Sequence, residues 1–111
     1  MAYSEQLAAR IRKALSHLPG ITEKKMFGSL AFLIDGKLSL AAGPERMMCR
    51  IDPEMYEEVS KMNGVTAVNM RGRVYKGYIY VDQKALQSAA EFKYWVKMAL
   101  DYLPKAKKSR K

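Results

Sequence analysis

The dipeptide Asp35-Gly36, which stands between two apolar runs, constrains the fold more than any other feature of this chain. An Asp-Gly pair favours the tight two-residue turn that joins neighbouring antiparallel strands. Gly43-Pro44 marks a second turn a few residues later. The sequence therefore predicts three consecutive antiparallel strands, at about residues 24–34, 37–42 and 46–51.

Two further strands are predicted in the second half of the chain, at about residues 66–70 and 73–81, separated by Arg71-Gly72. Within the first predicted strand, Gly28-Ser29 is interpreted as a bulge or bend. The total is then five strands.

Helices are predicted before, between and after these strands. Leu7, Ile11, Leu15 and Leu18 recur at helical spacing behind Ser4, a good N-cap, and Pro19 ends that helix. Residues 52–54 (Asp-Pro-Glu) start a second, short helix. The third helix is predicted to begin at the N-cap Asp82 and to run to Pro104.

The order helix, three strands, helix, two strands, helix predicts a two-layer α+β fold. We expect one mainly antiparallel five-stranded sheet with the helices on one face. Residues 1–104 are predicted to form a single domain, and residues 105–111 a disordered basic tail.

Composition narrows the class of protein. The formal charge is +9, but five of the 20 Lys and Arg residues lie in the last seven positions, so the charge is concentrated at one end. A single cysteine cannot form an intramolecular disulfide, and no signal peptide is evident at the N-terminus. No apolar run approaches the roughly 20 residues of a membrane span. We therefore expect a cytoplasmic protein without a membrane partner.

The strand VYKGYIYVD, residues 74–82, comes close to the signature with which RNA-recognition domains stack bases. Strand alternation places Lys76, Tyr78 and Tyr80 on the face opposite Ile79 and Val81. These three residues form the candidate interaction face, for bases or for another protein. The alternative is that the tyrosines only pack against cross-strand neighbours. An RNA-recognition domain would begin with a strand, whereas this chain begins with a helix.

A second candidate site consists of basic residues that could contact phosphates. Its strand members would lie together only if the first and last strands were neighbours. They could equally be solvated edge residues that prevent strands of different molecules from pairing. The candidate phosphate contacts are Lys24, Lys25, Arg71, Arg73, Lys105, Lys107, Lys108, Arg110 and Lys111.

Catalytic chemistry finds little support in the sequence. Cys49 alternates with Met47 and Ile51, which predicts a buried and inert thiol. The chain has one histidine, His17, and no clustered metal-ligand spacing. We therefore expect a protein that is not an enzyme and has no metal site and no cofactor.

Three segments taken together resemble a known family: EKKMFGSLAFLIDGKL, RIDPEMYEE and GRVYKGYIYVD. In order and spacing they are similar to the N-terminal domain of the TfoX competence-regulator family, over nearly all of residues 3–103. The resemblance implies an α+β fold similar to that of secretion chaperones, in which dimers are common. Longer members carry a second domain and activate DNA-uptake genes.

The function expected from these observations is that of a small interaction module resembling the TfoX N-terminal domain. Its partner would be a second copy of the chain or another cytoplasmic protein. The alternative is direct nucleic-acid binding through Lys76, Tyr78, Tyr80 and the basic tail.

Overall fold

The computed structural model describes residues 3–26, 28–70 and 72–105, which form one six-stranded antiparallel sheet and three α-helices. The strand order across the sheet is β1-β2-β3-β4-β6-β5. The elements in chain order are α1 (Glu5–Ala14), β1 (Ile21–Met26), β2 (Ser29–Ile34), β3 (Lys37–Ala42), β4 (Arg46–Arg50), α2 (Tyr56–Val59), β5 (Val65–Met70), β6 (Arg73–Asp82) and α3 (Ala89–Tyr102). Short 3-10 turns span Pro53–Met55, Gln83–Leu86 and Leu103–Lys105.

The α+β class is confirmed, but the prediction of five strands is wrong. The run predicted as one strand at 24–34 is a hairpin in which Met26 pairs with Ser29. Gly28, with φ of +79°, provides the left-handed backbone conformation for this reversal. The order is therefore helix, four strands, helix, two strands, helix, and β1 becomes an edge of the sheet.

The hairpin predicted at Asp35-Gly36 is confirmed. Ile34 pairs with Lys37, and both turn residues have positive φ, at 51° and 80°. This is the backbone twist that matches the right-handed twist of the flanking strands. A bulge follows, because Phe32 pairs with Leu40 while Leu33 pairs with Leu38.

Two helix boundaries differ from the predicted ones. The Ser4 hydroxyl accepts the Leu7 N–H at 3.1 Å, as an N-cap should, but α1 ends at Ala14, well before Pro19. Asp82 caps only a 3-10 turn, and α3 begins behind Ser88, which forms a capping box with Glu91. Within the described residues, no helix has both the length and the apolarity needed to span a membrane.

The core lies between the helices and one face of the sheet. Leu7 and Ile11 of α1 and Trp95 and Val96 of α3 are buried, which places both long helices on the same side. The side chains that meet them alternate along every central strand, and those completely or nearly completely buried include Phe32, Leu40, Met47, Cys49, Ile79 and Val81. Burial of this apolar surface is the main stabilising term of the domain.

Cys49 lies in the middle of this core and is fully buried, as predicted. It pairs with Leu40 on one side and Ile79 on the other. Burial raises the pKa of its thiol far above the ordinary value, so the thiolate form is suppressed at neutral pH.

We predict that Cys49→Ala lowers the free energy of unfolding by about 1–2 kcal/mol through lost packing. Cys49→Ser should cost about 1–3 kcal/mol more, because its hydroxyl would lack a partner in this apolar environment. Urea unfolding of the three proteins measures both differences. Fast reaction of the native thiol with a bulky reagent would contradict the placement of Cys49 in the core.

Candidate interaction surface on the open sheet face

The open face is the side of the sheet that points away from the helices, and no helix of the described residues packs on it. Strand pairing places Ala31, Ala41, Met48 and Tyr80 in one row across this face. Ile79 and Val81 are fully buried on the other side, so the predicted orientation of Tyr78 and Tyr80 is confirmed. Both tyrosines are half-buried.

Arg46 stacks on Tyr80. Its guanidinium carbon lies 3.5 Å from the centre of the tyrosine ring, which is close contact for a cation and an aromatic face. Arg46 pairs in register with Asp82, two residues after Tyr80 on β6. The stack therefore joins the start of β4 to the end of β6.

The turn before β4 fixes the position of Arg46. The Gly43 N–H donates to the Arg46 carbonyl at 2.8 Å, and a Cβ at Gly43 would meet that carbonyl at 3.0 Å. The Ser4 N–H donates to the Gly43 carbonyl at 3.0 Å, and the Gln83 N–H donates to the Glu45 carbonyl at 2.9 Å. The backbone beneath Arg46 is thus tied to the regions before α1 and after β6.

Arg50 occupies the other end of β4. Its guanidinium carbon lies 5.7 Å from the ring centre of Tyr78 and 5.8 Å from that of Tyr102 in α3. Its Nη1 donates to the Leu38 carbonyl at 3.5 Å, a long hydrogen bond. Arg50 therefore links the open face to the end of the helical layer.

Lys76 lies in an irregular part of β6. Ala67 pairs with Ile79, but Asn69 pairs with Val74, so the register shifts by three residues over this segment. Because the shift is odd, the simple alternation used to group Lys76 with Tyr78 and Tyr80 does not extend across it. The structure shows Lys76 as an exposed residue near the end of the β5–β6 hairpin.

The candidate phosphate contacts are dispersed. Lys24 and Lys25 belong to β1, whereas Arg73 belongs to β6, and three strands separate the two. At a spacing of about 4.8 Å per strand this is a distance of about 19 Å across the sheet. The first and last strands are therefore not neighbours, and these residues do not form one cluster.

Lys105, which was predicted to begin a disordered tail, contacts the domain. Its ammonium lies 3.2 Å from the Asp52 carboxylate. The Glu54 backbone N–H, and to a smaller extent Lys105, hold the pKa of Asp52 below its ordinary value. The other predicted tail contacts, and one predicted strand contact, lie outside the described residues: Lys107, Lys108, Arg110, Lys111 and Arg71.

The side chains of the open face differ in kind from those of a metal centre. Within the described residues, no three His, Cys, Asp or Glu side chains converge as metal ligands would. The face offers two half-buried tyrosine rings, each with an arginine near it, and the half-buried Met48 beside the buried Ala41. Arginine and tyrosine are the residues that most often anchor protein interfaces.

Sequence reasoning missed Arg46 and Arg50. Their alternation with the buried Met47 and Cys49 could have assigned them to the open face. Their proximity to Tyr80 and Tyr78 depends on the pairing of β4 with β6, which no local pattern specifies.

Comparison with known proteins gives one match. The family model described as the TfoX N-terminal domain matches residues 13–103. No curated protein and no solved structure shows a significant match.

We predict that Arg46 and Tyr80 are energetically coupled. A double-mutant cycle with Arg46→Ala and Tyr80→Leu should give a coupling energy of about 0.5–1 kcal/mol, since the pair is partly exposed to solvent. Urea unfolding of the four proteins measures it. In the helical layer the guanidinium carbon of Arg10 lies 4.2 Å from the ring centre of Phe92, and the same cycle on these two residues provides the matched control. A coupling energy near zero for Arg46 and Tyr80 would show that the stack does not persist in solution.

Proposed function

Since the chain belongs to the TfoX N-terminal domain family, we propose that it is a non-enzymatic protein-interaction domain that serves gene regulation. The observation that carries this proposal is the stack of Arg46 on Tyr80, with Arg50 near Tyr78, on a sheet face without a helical cover. Each of the two pairs offers an aromatic surface with a cation near it, on strands whose pairing fixes their relative positions. Preorganised residues of these types lose little conformational entropy on binding.

The geometry of Tyr80 favours a protein partner over a nucleic-acid base. Arg46 lies 3.5 Å from the ring centre and so occupies one ring face on which a base would stack. A guanidinium stacked on a ring keeps its N–H donors at its edge, where a partner could engage them. A carboxylate on a partner protein would match this planar fork, as a phosphate would, so the preference for a protein rests on the ring face that Arg46 occupies.

The partner we propose is therefore a cytoplasmic protein with an acidic, partly apolar surface. The resemblance of the family to secretion chaperones, in which dimers are common, also supports a role in assembly. A regulatory role follows from the longer family members, which act on DNA-uptake genes.

We predict that Tyr78→Ser with Tyr80→Ser abolishes binding to this partner. The tagged chain would be incubated with native cytoplasm in about 300 mM salt, where weak contacts to polyanions are screened. Bound proteins would be identified by mass spectrometry, and each affinity measured with the purified partner.

Tyr94→Ser is the matched control, because Tyr94 is an exposed tyrosine in the helical layer. It should bind the partner as the wild type does, and thermal unfolding should show both variants folded. A partner retained equally by the Tyr78 and Tyr80 variant would contradict the proposed surface.

Nucleic-acid binding is the second candidate, and the end of the β5–β6 hairpin favours it. Arg73 and Lys76 are exposed there beside Tyr75, which is 37% exposed. A basic strip next to a free aromatic ring is the usual composition of a single-strand binding surface.

We predict for this candidate that affinity for single-stranded DNA falls steeply as salt rises, because phosphate contacts release counterions. Fluorescence anisotropy at several salt concentrations measures the slope. Arg73→Gln with Lys76→Gln should reduce the slope by about two, whereas Lys97→Gln and Lys93→Gln, in α3, should leave it unchanged. A salt-independent affinity would exclude phosphate-driven binding.

A further inference from the structure

The two edges of the sheet differ in charge. β1 (ITEKKM) carries Glu23, Lys24 and Lys25, whereas β5 (VTAVNM) carries no charged residue. Charged side chains, and lysines above all, are the usual protection of an exposed strand edge against pairing. β5 is an edge strand without that protection, since β6 is its one partner among the described residues.

The β1 edge also carries an ion pair with helix α1. The Arg12 guanidinium of α1 donates to both carboxylate oxygens of Glu23, at 2.6 Å and 2.8 Å. This fork holds the pKa of Glu23 below its ordinary value, chiefly through the hydrogen bond, and it ties the β1 edge to α1. No equivalent ion pair is present at β5 in the part of the chain that the structure describes.

We propose that two copies of this chain pair through their β5 strands, antiparallel, to form one continuous twelve-stranded sheet. The occupant of the β5 edge is a second β5, because the strand is complementary to itself. A two-fold axis through Ala67 would place Ala67 opposite Ala67, Thr66 opposite Val68 and Val65 opposite Asn69. None of these pairs contains a charge.

Antiparallel pairing of β1 with the β1 strand of a second copy is unfavourable. A two-fold axis through Glu23, Lys24 or Lys25, three of the six β1 residues, places two like charges directly opposite each other, which destabilises a strand pair, whereas an axis through any residue of β5 does not. The sequence therefore directs self-association to one edge and away from the other.

The surroundings of β5 are consistent with a second copy. An open groove of about 500 Å³ lies beside the start of β5, and its lining includes the carboxylates of Asp82 and Glu91 and one lysine, Lys84. The groove leaves the start of this edge uncovered. In the antiparallel arrangement Arg73 of the other copy would lie level with Asp82 but beyond both β5 strands, three strand spacings or about 14 Å away, so attraction between these charges adds little.

The test is sedimentation equilibrium of the full chain from about 1 to 300 µM. Thr66 and Thr22 are exposed threonines on the open-face side of β5 and β1 respectively, so Thr66→Lys and Thr22→Lys form a matched pair. We expect the wild type and Thr22→Lys to dimerise alike. Thr66→Lys should raise the dimer dissociation constant at least about tenfold.

Hydrogen exchange of the wild type gives an independent measurement that needs no substitution. The β5 amides that point away from β6 should exchange more slowly as the protein concentration rises, while those of β1 should not change. Circular dichroism checks that Thr66→Lys is folded.

Three results would overturn the proposal. The first is a monomeric wild type over the whole concentration range. The second is a dimer that Thr66→Lys leaves intact. The third is a dimer that is lost on Tyr78→Ser with Tyr80→Ser while the exchange of β5 stays independent of concentration, which would place the interface on the open face. Because these measurements use the chain alone, their outcome is independent of the binding of the partner protein.

Discussion

The pairing of β4 with β6 is the constraint on which the rest of the structure depends. Five residue pairs, from Arg46 with Asp82 to Arg50 with Tyr78, join the first four strands to the last two. These pairs place Cys49 beside Ile79 in the core, and on the opposite face they place Arg46 beside Tyr80. One set of backbone hydrogen bonds thus positions both the buried face and the candidate interaction surface.

The sequence predicted those parts of the fold that local chemistry determines. Asp35-Gly36 predicted a hairpin, and the structure has a hairpin there. The alternation of Ile79 and Val81 correctly identified the face of β6 that points into the core. The turn before Ser29 was not predicted, because the dipeptide Phe27-Gly28 lacks the Asn or Asp that is typical of hairpin turns. The sequence therefore predicted one strand where the structure has two. The register shift in β6 likewise has no local signal.

Only the part of the candidate site that depends on local alternation could be predicted from the sequence. Alternation placed Tyr78 and Tyr80 on the open face, but the arginines that stack near them come from a strand about thirty residues away. For the basic residues, the sequence suggested a proximity that the structure does not have. The proposed phosphate-binding cluster required the first and last strands to be neighbours, yet the topology puts Lys24 and Lys25 on the edge strand β1 and Arg73 on the interior strand β6. Total charge carries no information on how charges are distributed in space.

The long connection between β4 and β6 also determines the order in which the chain can fold. The β1–β4 meander and the β5–β6 hairpin each consist of strands adjacent in sequence, and so each requires closure of short loops only. Docking of the two units must close the segment from Ile51 to Gly77, whose ends are joined by a backbone hydrogen bond of 2.9 Å. This step closes a longer loop than any hairpin within either unit, so we expect it to follow their formation. Until it is complete, we expect the apolar sides of both units, which carry Cys49 and Ile79, to be exposed to solvent and prone to aggregation.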